Sequence, residues 1–443
     1  MRCCLVPWKR DASHDSQAGH PGSRRCFSLA YAQYARSSRL AIRAPRSGTY
    51  ATHHASRGLA VALAAALLLP AAPARAQQTV NDIVSFLVTN QAVQTADFER
   101  DQAAAEAARA TIARALLVNL ASVPLATSSS GFLYRFNPQL GTVERATESF
   151  GGFFVERALT PGRGRAAFGV SATTSSFRRL DGRELRDGTL VTVANTFRDE
   201  EEPFDVETLT LRLQTSAMTL FGSVGVTDRL EIGAALPLVR LHLEGERINV
   251  YRGTRFQQAS GTATANGIAD LALRAKYTVF AGPQGGVAGA AELRLPTGDE
   301  DNLLGAGVRS WRVMGIGSFE DGRLGLHANA GLVRGGVSDE WLLAGAASFA
   351  VSPHVTISGE LTTRHVSQLR DVALISAPHP TIDGVDTLRL MPGATGSTLT
   401  GAVAGFKWNV AGAVVLGGHL SWAMNSRGLT APLTPTVALE YAF

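Results

Sequence analysis

Seven charged residues fall at alternating positions of otherwise apolar segments: Arg212, Arg274, Lys276, Glu292, Arg294, Glu360 and Arg364. Charges so placed are candidates to line the inside of a closed sheet, where they select a solute, hold an internal plug or pair as structural ions. Two acidic runs, Asp199-Glu200-Glu201-Glu202 and Asp299-Glu300-Asp301-Asn302, carry the carboxylates a divalent cation prefers. Neither has the glycine spacing of a calcium loop, so a solvated loop is the better reading and no metal site is expected. The histidines beyond residue 76 are His242, His327, His354, His365, His379 and His419. None stands in a His-Glu-x-x-His helix, and no glycine-bracketed serine forms a nucleophile elbow. A serine and a histidine on different strands can still meet in space. A lipid hydrolase is therefore a minor alternative, and the expectation is a protein that is not an enzyme and needs no cofactor. The three cysteines, Cys3, Cys4 and Cys26, lie near the N-terminus, so everything after residue 76 lacks thiol chemistry.

The elements that must position these residues are strands. Leu209, Leu211 and Leu213 face opposite to Arg212, Gln214 and Ser216; Leu271, Leu273, Ala275, Tyr277 and Val279 alternate with Arg274, Lys276 and Thr278. Val287, Ala291, Leu293 and Leu295 alternate with Glu292 and Arg294, and Val355, Ile357 and Leu361 oppose Glu360 and Arg364. Short turns at Thr227-Asp228, Gly282 to Gly285, Asp321-Gly322, Ser352-Pro353 and Ala411-Gly412 interleave with longer polar connections. Outer-membrane barrels do this, with short turns toward the periplasm and long loops outside. Thirteen segments between residues 165 and 443 read as strands, and the aromatic stretch Ser149 to Leu159 completes an even number. The expectation is an all-β, antiparallel transmembrane barrel of about 14 strands; losing two early strands gives 12. A turn centred near Gln284 would set Lys276 opposite Glu292. The chain ends Val437, Leu439, Tyr441, Phe443, alternating with smaller or polar residues. This resembles the C-terminal membrane-insertion signal that outer-membrane barrels present to their assembly machinery.

The N-terminal part is different. Residues 57–76 read as a signal peptide, with Arg57, the apolar run Leu59 to Leu69, and Ala74-Arg75-Ala76 as a cleavage site before Gln77. That run is too short for a spanning helix, which needs about 20 residues. Residues 1–56 form a leader, read as a translation start placed too early or as a genuine extension. Removing residues 1–76 leaves 31 basic and 35 acidic residues, a net charge of −4. The basic pI of 9.4 thus belongs to the leader, and a nucleic-acid partner is not expected. From Asp97 to Leu120 the chain is alanine-rich and free of glycine and proline, which predicts one helix. Residues 77–148 then form a helical segment, plug or periplasmic, ahead of a barrel over 149–443.

Three motifs carry a family resemblance: Gly225-Val226-Thr227-Asp228-Arg229-Leu230 through Pro237, Gly267-Ile268-Ala269-Asp270-Leu271, and Leu295-Pro296-Thr297-Gly298-Asp299. They resemble motifs of the outer-membrane family named for the meta-pathway of phenol degradation, related in shape to fatty-acid and toluene channels. The resemblance implies passive uptake of hydrophobic or aromatic small molecules across the outer membrane of a Gram-negative bacterium. The implied partners are lipid and lipopolysaccharide, the barrel-assembly machinery and a small apolar solute. The alternative is a barrel with a structural or adhesive role, whose lumen would be filled without a gap.

Overall fold

The computed structural model describes residues 78–88, 98–121, 134–137, 142–145 and 147–443. The leader, the signal peptide and its cleavage residues Ala74, Ala76 and Gln77 lie outside them. Twelve antiparallel strands close into a barrel: β1 (Ala166–Phe177), β2 (Asp205–Gly225), β3 (Leu230–Tyr251), β4 (Leu271–Gly282), β5 (Gly285–Leu295), β6 (Ser310–Asp321), β7 (Leu324–Gly335), β8 (Glu340–Ser352), β9 (Val355–Pro378), β10 (Val385–Ala411), β11 (Val414–Ala423) and β12 (Thr434–Ala442). Each pairs with the next, and β12 returns to β1 through Val437↔Ala172 and Tyr441↔Phe168. The seam is tied by reciprocal backbone bonds of 2.8 Å between Ala166 and Phe443. No wall strand is left with an open edge, which is how a sheet satisfies its backbone in lipid.

The expected count of fourteen becomes twelve for two reasons. Ser149 to Leu159 is not a strand; it runs through the interior as irregular chain. The strand Leu190–Phe197 stands above the ring, bridging β2 and β10.

Outward side chains along most of the wall are large and apolar. Leu273, Tyr277, Val287, Val313, Leu361 and Val437 are all 40% or more exposed. A continuous apolar surface of this extent belongs against hydrocarbon, not water. Trp311 and Trp341 mark the belt at the loop end, and Trp408, Tyr441 and Phe443 mark it at the turn end. No helix among the described residues is long and apolar enough to cross a membrane.

Eight strands have 9 to 13 residues, close to the 9–11 a tilted strand needs to span a bilayer. The strands β2, β3, β9 and β10 have 21 to 27 and rise beyond the belt at the loop end. There the two faces exchange character. Low on β3, Ile232 points out and Glu231 in; higher up, Arg240 and Glu244 point out while Leu241 and Leu243 point in, fully buried. The chamber so formed is filled by two helices, α1 (Val80–Val88) and α2 (Phe98–Ala121).

Sequence explains α1 locally, although it was not anticipated. Thr79 and Asp82 form a capping box, Thr79 Oγ1 accepting from Asp82 N and Asp82 Oδ2 accepting from Thr79 N. The helix is amphipathic, burying Val80, Ile83, Val84 and Leu87 against Leu211, Leu243 and the residues around them. Its last turn is closed by Arg247 Nη1, which donates to Leu87 O at 3.3 Å. Helix α2 buries Ile112 and Leu116 in the same cluster, which extends to Leu185, Leu369, Leu390 and Leu429. Each such leucine contributes about 1.5–3 kcal/mol relative to exposure.

Candidate functional site

The interior of the barrel is arranged in three layers. At the turn end, residues 147–164 fold back into the lumen before β1 begins and are held chiefly through their backbone. Glu360 accepts from three consecutive amides: Phe153 N, Phe154 N at 2.9 Å and Val155 N at 3.0 Å. From the neighbouring strand, Lys407 Nζ donates to Gly151 O at 2.7 Å and to Gly152 O. Lys276 Nζ donates to Arg157 O and Leu159 O, at 3.3 and 3.1 Å. Thr278 Oγ1 donates to Ala158 O, and Ala158 N donates to Ser318 Oγ. A strand-free segment cannot satisfy its own amides in a buried place, so wall side chains do so. Gly225 at the end of β2 leaves room for this segment, because a Cβ there would collide with Gly162 O.

At the loop end, the two helices close the other mouth. Asn81 N donates to Asp301 O at 3.1 Å and Val80 N to Asn302 Oδ1 at 3.2 Å. Arg114 Nη1 reaches Gln368 O, and Asn119 Nδ2 reaches Leu429 O. Between cap and plug lies a cavity of about 330 Å³, bounded above by Asn119, Leu120 and Leu429 and below by Phe154 and Glu156.

The candidate residues separate by layer. Arg294 and Arg364 face the cavity, Arg294 Nε donating to Glu292 at 2.8 Å and Arg364 forming a bidentate pair with Glu340 at 2.8–3.0 Å. Arg274 points inward and is paired with Glu156 of the plug. Lys276 and Glu360 also point inward but lie beneath the plug as its anchors. Arg212 is the exception: it stands on the outer face of β2 above the belt, 58% exposed, 3.3 Å from Glu244. The alternation placed it opposite the leucines correctly, but there the leucines meet the helices and the arginine meets water.

The expected Lys276–Glu292 pairing is also corrected. Lys276 lies across from Ala290 and Arg274 from Glu292, because the turn centres between Pro283 and Gln284 and a bulge between Thr278 and Phe280 shifts the register further. Lys276 pairs instead with Glu231 on β3 at 2.9 Å. Sequence reading passed over Lys407 and Arg312. Their signal was present, since each is a cation on the inward phase of a strand whose outward phase is aromatic or apolar, Phe406 and Trp408 beside one, Trp311 and Val313 beside the other.

The remaining motifs have structural jobs. Asp270 accepts from Gly298 N at 3.2 Å and Ala306 N at 3.0 Å, while Thr297 Oγ1 donates to Ala269 O. These bonds fold the β5–β6 loop over the start of β4, where Asp301 and Asn302 receive α1. Asp299 caps its own loop by accepting from Asp301 N and Asn302 N, and no group of metal-type ligands converges among the described residues. A serine and a histidine do meet, Ser318 Oγ and His327 Nδ1 at 3.0 Å. The serine oxygen also accepts from Ala158 N of the plug at 2.8 Å, and the histidine is buried. Val437, Leu439, Tyr441 and Phe443 all point outward from β12.

Residues 182–372 match the model of the family described as "Putative MetA-pathway of phenol degradation". The match covers all three motifs and is to the family that those motifs resemble. No curated protein matches the chain. Among solved structures, an outer-membrane channel of Pseudomonas putida F1 is similar at 12% identity and a TM-score of 0.41, covering 65% of this chain and 98% of that one. The toluene transporter of Ralstonia pickettii is similar at 11% identity and a TM-score of 0.28, covering 65% and 91%. The translocator domain of an autotransporter from Neisseria meningitidis is similar at 11% and 0.35, covering 64% and 89%.

Proposed function

We propose that this chain, matched over residues 182–372 by the phenol-degradation family model, is an outer-membrane channel of a Gram-negative bacterium for passive uptake of hydrophobic or aromatic small molecules. The carrying observation is the cavity of about 330 Å³ within the barrel, between the helices and residues 147–164. A barrel with a purely structural or adhesive role would have its lumen filled, and this gap favours the channel. Catalysis has less support, since Ser318 is engaged by Ala158 N of the plug and His327 beside it is buried.

In this mechanism a solute enters past α1 and α2, rests in the cavity and leaves when residues 147–164 swing away from Glu360 and Lys407. Both layers belong to the segment ahead of β1, so one stretch of chain gates both mouths. The outer face of the barrel meets lipid and, beyond the belt, lipopolysaccharide. Val437, Leu439, Tyr441 and Phe443 present the insertion signal to the assembly machinery. The test is flux of labelled phenol, toluene and a fatty acid into liposomes carrying the full chain or a chain lacking residues 77–148. Flux that rises on removing the segment supports the reading; absence of flux for the whole panel in both chains refutes it.

A further inference from the structure

The cavity is not electrically neutral. Four arginines line it, Arg294 on β5, Arg312 on β6, Arg364 on β9 and Arg427 in the β11–β12 loop, against two carboxylates, Glu156 and Glu292; of these, Glu156 is held by Arg274, and Arg427 is paired with Asp371. Arg364 takes both oxygens of Glu340. Glu292 is hydrogen-bonded by Arg294 at 2.8 Å, and among the described residues it is the only carboxylate in ion-pair range of Arg312, at 3.7 Å. Arg312 thus shares a carboxylate already taken and makes no hydrogen bond among the described residues; its Nε is buried without a partner. A buried guanidinium nitrogen left without a partner is costly unless an anion visits it. A guanidinium has the fork geometry that grips a carboxylate at two points.

Beside the hydroxyls of Thr215, Thr362 and Thr400, the same cavity has apolar lining close to Arg312. Met314 is the next inward residue after Arg312 on β6, Leu342 comes from β8, and Phe154 rises from the plug. The volume is at the small end for ligand pockets, which begin near 300 Å³. It admits one ring or a short chain.

Resting on the channel reading above, we propose that the cavity is a binding site for a small amphipathic carboxylate, its anionic end on Arg312 and its apolar body against Phe154, Met314 and Leu342. Neutral molecules of the same shape lack the partner that Arg312 needs and bind less tightly.

Isothermal titration of the full chain in detergent with benzoate and with benzyl alcohol tests this. Benzoate should bind at least tenfold more tightly. Arg312→Gln should weaken benzoate at least tenfold and leave benzyl alcohol unchanged, while Arg312→Lys keeps part of the preference. Glu292→Gln, which removes the competing carboxylate, should tighten benzoate and serves if Arg312→Gln does not fold. Equal affinity for the two probes, no binding of either, or benzoate binding indifferent to both substitutions overturns the proposal. Liposome flux of benzyl alcohol separates the two ideas: flux without benzoate preference keeps the channel and removes the carboxylate site, whereas benzoate binding without any flux does the reverse.

Discussion

Replacing Glu360 by Gln should loosen the plug without unfolding the wall. Both carboxylate oxygens are in use, one by Phe153 N and the other by Phe154 N and Val155 N. A glutamine amide has a single acceptor oxygen, so whichever way it turns at least one buried backbone N–H loses its partner and faces another donor. Hydrogen bonds to a charged group contribute about 1.5–3 kcal/mol net. At 1.4 kcal/mol per decade, the open fraction of the plug should rise roughly 10- to 150-fold. The wall ladder of β9 is backbone to backbone and is untouched. The assay exploits the cysteine pattern: with Cys3, Cys4 and Cys26 changed to serine, Val155→Cys becomes the single thiol. Val155 is buried in the closed plug, so its labelling rate by a bulky maleimide follows the open fraction when opening is fast and reversible. The Glu360→Gln background should raise that rate by the stated factor. A rate within twofold of the parent, with barrel content unchanged by circular dichroism, would refute the idea that Glu360 holds the plug shut.

Truncating Leu87 or Leu116 to alanine, both fully buried in the cap, should cost about 2–5 kcal/mol locally; amide exchange in α1 and α2 should accelerate while the wall strands stay protected. Gly225→Ala sets a methyl group against Gly162 O, and should make residues 160–164 susceptible to protease from the turn end at unchanged barrel content. Arg212→Gln breaks an exposed pair worth less than about 1 kcal/mol, so melting and solute flux should both match the parent; a flux change beyond twofold would restore Arg212 to the lumen. Deleting Phe443 removes both backbone bonds to Ala166 at the seam, and should lower the yield of folded barrel, read as the heat-modifiable band on a gel.

Alternation, turn lengths and the order of short and long connections determined the barrel by themselves, along with ten of its hairpin connections and the inward phase of Arg274, Lys276, Glu292, Arg294, Glu360 and Arg364. These are local properties: a strand's side chains alternate whatever surrounds it. Whether each face meets lipid, water or another part of the chain is not local. Leu209, Leu211 and Leu213 alternate as a lipid-facing row would, yet they point inward because α1 and α2 fill the barrel above the belt, with the outside there in water. Ser149 to Leu159 has the aromatic content of a strand, but its amides are taken by Glu360, Thr356 and Ser318 from inside the ring, so it became a plug and the wall closed with twelve. Likewise a bulge between Thr278 and Phe280, with the tight turn at Pro283-Gln284, moved Lys276 from Glu292 to Glu231. Periodicity divides a strand into two faces; tertiary structure decided what each face touches, because the partner comes from a distant stretch of chain.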